Sequence, residues 1–166
     1  MIREECVMIN EIVKRITDNF HNQKKSYCDM AGLAAEQLRI LQATEYIKDT
    51  TEVREIVNRR NELMEQIFQM HKENKDLQEE ICQELELKQF VLSKIEGKVE
   101  TELFRELKDL IAELGRILEE INTLDKKNQA LKMRSVDFWT EQQGTSTVQA
   151  QQAYQKEVSR GKKDKN

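Results

Sequence analysis

Asp18 and His21 stand three residues apart near the start of this 166-residue chain. On a helix that spacing puts a carboxylate and an imidazole on one face, the arrangement with which di-metal bundles hold their ions. Such bundles need the pair twice, with glutamates from facing helices, and the chain carries no second copy. Cys28 lies seven residues after His21 and shares its face, but two ligands do not close a metal site. The other histidine, His71, follows Met70 with no partner in sequence. The cysteines, Cys6, Cys28 and Cys82, are far apart and odd in number. That pattern predicts free buried thiols in a reducing compartment. Phosphate loops, dinucleotide fingerprints, zinc knuckles and nucleophile elbows are all missing from the sequence. Glutamates occur throughout, so no pair is singled out as an acid and base. The expectation is a protein that is not an enzyme and that holds no metal or cofactor.

Residues suited to binding are easier to find. In "ILEEINTLDKKNQAL", residues 117–131, an apolar stripe of Ile117, Ile121, Leu124 and Leu131 is interrupted by Asn128, just after Asp125. A seam amide fixes register and partner choice at a cost in stability. Its simpler reading is a registry residue within a bundle. Met64, Phe68 and Met70 form a soft apolar group whose default role is core packing, although methionines also suit surfaces that accept variable helices. Phe138 and Trp139 are adjacent, so both cannot enter one narrow seam. Trp139, the only tryptophan, either caps the end of the fold or anchors a partner.

The elements that carry these residues must be helices. Proline is absent, glycine occurs five times, and charged residues make up 35% of the chain against 5% aromatic. Few positions allow a turn, and the balance is that of long helices. The net charge of -4 comes from interspersed acids and bases, which gives no footprint for nucleic acid or for an anionic membrane. No apolar run approaches the length of a membrane span. The opening "MIREECVMIN" lacks the basic and apolar regions of a secretory leader. A cytoplasmic protein without membrane insertion is expected.

Heptad spacing runs from Ile2 through Cys6, Ile9, Val13, Ile16, Phe20, Gln23, Tyr27, Met30, Ala34 and Gln37 to Leu41, and predicts one long first helix. Small residues around Gly32 would let another helix approach; otherwise Gly32 is a tolerated glycine. "KDTTEVREI" offers a stop and restart, with Asp49 and Glu52 in capping-box spacing. The second helix carries Val53, Ile56, Arg60, Leu63, Ile67 and Met70, with a second stripe of Val57, Met64 and Phe68. A third helix carries Leu103, Leu107, Leu110, Leu114, Ile117, Ile121, Leu124, Asn128 and Leu131, widened by Phe104, Ile111 and Leu118. Faces this wide touch two neighbours. Glu106, Lys108, Glu113, Arg116, Glu119 and Glu120 read as a solvated face. A second turn is expected at Asn74, which falls on the seam, or at Gly97. Between them Leu85 and Leu92 shift the stripe as a stutter would. The fold class is all-α, an antiparallel bundle of three or four long helices with coiled-coil-like packing over residues 1–143. Residues 144–166 read as a flexible C-terminal segment with a short helix around Tyr154 and a basic tail.

The order of "YCDMAGLAAEQLRILQ", "VREIVNRRNELMEQI", "ILEEINTLDKKNQAL" and "AQQAYQKE" resembles the small flagellar type III export chaperones, the FlgN/FliT group. Two sparse patterns carry the resemblance: Arg60 before Leu63-Met64, and Ile121, Leu124, Asp125 and Asn128 in an I-x-x-L-D-x-x-N helix. It spans residues 20–155, and the stretch 71–100 has no counterpart in it. The resemblance implies a cytoplasmic chaperone that binds the C-terminal helical region of a secreted flagellar structural protein, a filament-cap or hook-junction protein. It would prevent premature assembly and pass its cargo to the export apparatus. The cargo would then lie as an amphipathic helix in a groove between the second and third helices. The groove residues would be Met64, Phe68, Phe104, Ile111, Leu118, Asn128 and Trp139, with the segment around Tyr154 as a competing lid. The alternative is a structural coiled-coil scaffold or oligomerising protein, for which one unbroken rod through Gly97 would speak. Monomer and homodimer both remain open.

Overall fold

The computed structural model describes the backbone over residues 2–43 and 51–143, and side chains over 4–43 and 51–132. Three long helices dominate: α1 (Ile2–Ala43), α2 (Thr51–Glu84) and α4 (Thr101–Gln143), with a single turn, α3 (Leu92–Ile95), between the last two. No strand occurs among the described residues. The end of α2, with Leu77 and Ile81, and the start of α4, with Leu103 and Leu107, meet the start of α1 at Ile9, Ile12, Val13 and Ile16 in one cluster. So α2 runs antiparallel to α1, and α4 runs parallel to it. The architecture is an all-α, up-down-up bundle of long helices.

The central rod is α1. It packs along both α2 and α4, while those two approach each other only marginally. Their second stripes therefore do not close on one another as a tight three-way bundle would demand. Apolar burial is also uneven along the axis. The lower cluster holds Ile9, Ile12, Val13, Ile16, Leu77, Ile81, Ile95, Val99, Leu103 and Leu107. The upper one holds only Met30, Leu63, Ile67 and Ile121. Between and above them Leu110, Leu114, Leu38, Leu41 and Val53 are buried together with polar groups. Gln23, Asn74, Gln37 and Asn128 are all buried.

The second reversal is neither at Asn74 nor confined to Gly97. Helix α2 runs through Asn74, whose side chain is 1% exposed and accepts a 2.9 Å bond from Asn19 Nδ2 on α1. The helix does not break there: the bond to Asn19 satisfies Asn74 Oδ1, although its Nδ2 is buried without a partner among the described residues. It ends at Glu84 in a Schellman motif. The Leu87 N–H donates to the Cys82 carbonyl at 2.8 Å and the Glu86 N–H to the Gln83 carbonyl at 3.4 Å. Glu86 holds the left-handed position, with φ 54°. What looked like a stutter is a connection. Leu85, Leu87, Phe90 and Leu92 fold back under the lower cluster, and Ile95 is fully buried in it. Gly97 does supply a positive φ of 85°, on the approach to α4, where the Asn10 side chain accepts the Glu100 N–H at 3.0 Å. The first reversal falls between Ala43 and Thr51; the Asp49 cap lies outside the described residues.

Several smaller expectations are corrected. Cys6 and Cys28 are exposed and Cys82 half-buried, all free, because seam spacing does not bury residues outside a neighbour's footprint. At Gly32 an added Cβ would meet nothing within 4 Å, so this is a tolerated glycine; the close approach occurs two residues on, at fully buried Ala34. Glu106 and Glu113 are not merely solvated, since they reach across to His21 and Lys24 on α1.

Candidate functional site

Most of the notable residues meet in the upper half of the bundle, where α2 and α4 stand apart over α1. Arg60 on α2 donates from Nη2 to Asp125 Oδ2 on α4 at 2.8 Å, and from Nη1 to Gln37 Oε1 on α1 at 3.1 Å. Three helices are thus joined through one guanidinium. Its side chain is 15% exposed, against 35% for Asp125, so the pair is largely withdrawn from water. A guanidinium serves here because its fork donates in two directions at once. The heptad rise of α4 places Asn128 three residues beyond Asp125 on the adjoining side. Its Nδ2 donates to the Ala34 carbonyl at 3.1 Å. Ala34 is fully buried at this approach, with a single methyl as its side chain. Since the carbonyl can only accept, it is the Nδ2 group of Asn128 that faces it.

Two buried atoms of this group, Arg60 Nε and Asn128 Oδ1, have no hydrogen-bond partner among the described residues. Both residues line a cleft of about 270 Å³, together with Met30, Gln37, Met64 and Asp125. That is small for a cofactor or drug-sized ligand and roomy enough for one side chain.

Apolar surface flanks the cleft. Met64 is 45%, Phe68 62% and Leu118 44% exposed, so core packing does not hold for Met64 and Phe68. Met70 is half-buried against the upper cluster. Leu118 sits one heptad before Asp125, on the side of α4 that turns towards α2. The Arg60–Asp125 pair sets the antiparallel register, and stepping from it brings Phe68 level with Leu118. Phe68 and Met64 share an open depression lined by α2 residues, with Glu62, Glu65, Gln66 and Gln69, and Leu118 is exposed on α4. Phe104 and Ile111 do not join them. They lie lower and are half-buried against the lower cluster. The side chain of Trp139 and the whole segment containing Tyr154 lie outside the described residues, and so does the expected lid.

The alignment of the walls is fixed from below. Lys24 donates to Glu113 at 2.5 Å, His21 meets Glu106 at 2.8 Å, and Arg15 meets Glu73 at 3.4 Å. The hydrogen bond from Lys24, and then its charge, hold the Glu113 carboxyl below its ordinary value. Burial pushes the Tyr27 hydroxyl up. No group of three or more His, Cys, Asp or Glu able to hold a metal ion occurs among the described residues. No described helix is long and apolar enough to cross a membrane. No known family model, curated protein or solved structure matches this chain.

Sequence reasoning found Asp125 and Asn128 as an anomaly and Arg60 as a pattern residue, but not that they join. Gln37 was visible only as a polar residue in a seam. Its partner could not be read from one helix alone, because the pairing depends on the register between α1 and α2.

Proposed function

We propose that the chain is a cytoplasmic export chaperone that binds the C-terminal helical region of a secreted flagellar filament-cap or hook-junction protein and keeps it from assembling early. One observation carries the reading. Arg60, Asp125 and Asn128, the sparse residues behind the resemblance to the FlgN/FliT group, line one cleft between α2 and α4 that also takes in the exposed Met64. Exposed Met64, Phe68 and Leu118 are the kind of surface that receives an amphipathic helix. The protein acts by binding rather than by catalysis, with the export apparatus as its second partner. The chain reversal over 85–100 also supports a bundle with grooves over the rod that a scaffold would favour.

Calorimetric titration of the full chain with the C-terminal helical region of a filament-cap or hook-junction protein tests this. Saturable binding at micromolar concentration is expected. Phe68→Asp should weaken it about tenfold, the cost of a charge placed in an apolar contact, while circular dichroism shows the bundle intact. If neither form binds any such protein, the scaffold reading replaces this one.

A further inference from the structure

We infer that the outer face of α2 around Phe68 is an interface between two copies of this chain, with the two α2 helices antiparallel about a two-fold axis at Phe68. This goes beyond the helix-binding reading above and does not depend on it.

Phe68 is the most exposed large apolar side chain among the described residues, and Met64 is exposed beside it. The open depression they share is lined by α2 residues alone, so neither α1 nor α4 covers it. Helix α2 turns Leu63, Ile67, Asn74 and Leu77 inward, and Phe68 lies about 100° round from Ile67. Steps of three, four and seven residues along a helix return to nearly the same face. From Phe68 they reach Asn61, Met64 and Glu65 on one side and His71, Lys72 and Lys75 on the other, all exposed. The charge of the face therefore changes sign across Phe68. Neither Glu65 nor Lys72 forms an ion pair among the described residues.

A face of this kind is its own complement once the helix is reversed. With a second α2 laid antiparallel on the first and the two Phe68 rings opposed, residues equally far before and after Phe68 stand opposite one another. Glu65 of each copy meets Lys72 of the other, Asn61 meets Lys75, and Met64 lies over the His71 ring. No carboxylate faces a carboxylate and no ammonium an ammonium. In a parallel pair Glu65 would face Glu65 and Lys72 would face Lys72. The antiparallel pair also covers the exposed apolar groups, Phe68 with Phe68 and Met64 with an imidazole. A different partner would have to bring this pattern, whereas a second copy already carries it, as a two-fold interface requires. The contact is one helix face wide, so the dimer is weak and reversible, with a dissociation constant on the order of 10 μM or above. A helical partner seated on Phe68 would compete with it.

Sedimentation equilibrium of the full chain over about 5–500 μM tests this. A monomer–dimer equilibrium is expected, and Phe68→Asp should weaken it at least about tenfold. Glu65→Lys and Lys72→Glu should each do the same, because each sets like charges against one another twice in the dimer. The deciding arm mixes those two charge variants. Their heterodimer pairs opposite charges at both places, so association should return to within about threefold of the unaltered chain, read by energy transfer between dyes on the two variants. A chain that stays monomeric throughout the range overturns the inference. So does a dimer that survives all three substitutions, which would place the contact on another face. A mixture that fails to associate overturns it too, since Glu65 and Lys72 would then not meet.

Discussion

Asn128 makes one bond and leaves one atom unpaired, and that balance decides what its replacement does. The bond from Nδ2 to the Ala34 carbonyl contributes about 1 kcal/mol net, whereas a buried carbonyl oxygen without a donor costs about 1–3 kcal/mol. Asn128→Leu removes both and adds apolar area at a site 2% exposed. The variant should be more stable by about 1 kcal/mol, read as a higher midpoint in urea unfolding. A lower midpoint would show that the Ala34 bond outweighs the orphaned oxygen. Arg60 is the opposite case. Arg60→Met strips partners from Gln37 Oε1 and Asp125 together and should cost about 2–3 kcal/mol. Replacing all three at once, as Arg60→Met with Gln37→Leu and Asp125→Leu, strands none of the partners that Arg60→Met alone would strand. It should recover most of that loss, because a packed apolar layer equals or exceeds a buried ionic one. Urea unfolding of the single and triple variants compares the two directly. Recovery would mean that the polar layer serves recognition rather than stability.

At the scale of elements, heptad spacing made α1 and α4 legible almost in full. Ile9, Val13, Ile16, Met30, Ala34 and Leu41 on α1, and Leu103, Leu107, Leu110, Leu114 and Ile121 on α4, are all buried as their spacing requires. The end of α2 was not legible, for a specific reason. Helices that stop in a Schellman motif usually place glycine at the left-handed position, and here Glu86 stands there. Without that glycine, and with Leu85 and Leu92 continuing an apolar rhythm, the sequence reads on as helix. What ends it is tertiary: Leu85, Leu87, Phe90 and Leu92 gain more against the lower cluster than they would on an exposed continuation. A non-glycine residue in this conformation costs about 1 kcal/mol. Glu86→Gly should therefore stabilise the protein by about 1 kcal/mol, seen in thermal unfolding. A loss of stability would mean that the Glu86 side chain contributes more than its backbone strain costs.

Over the whole molecule, the lower half is a filled core and the upper half a polar-lined groove, and both follow from α1 serving as the shared partner of α2 and α4. The sequence announced the surplus apolar stripes, but not which ends would be covered. Phe104 and Ile111 pack against the lower cluster, while Met64, Phe68 and Leu118 stay exposed. Heptad spacing on one helix carries no information about how far its neighbours cover a second stripe. Val7, Met8 and Val91 are also exposed, and the methionine signals distinguish Met8 from Met64. The most direct measurement is therefore the NMR spectrum of the full chain, labelled at its methionine methyl groups, as the C-terminal helical region of a filament-cap or hook-junction protein is added. The Met64 signal, in the groove, should shift or broaden in proportion to binding, while that of Met8 stays in place. Movement of Met8 with Met64 unchanged, or no movement of either at saturating concentration, would contradict the assignment of the α2–α4 groove as the binding surface.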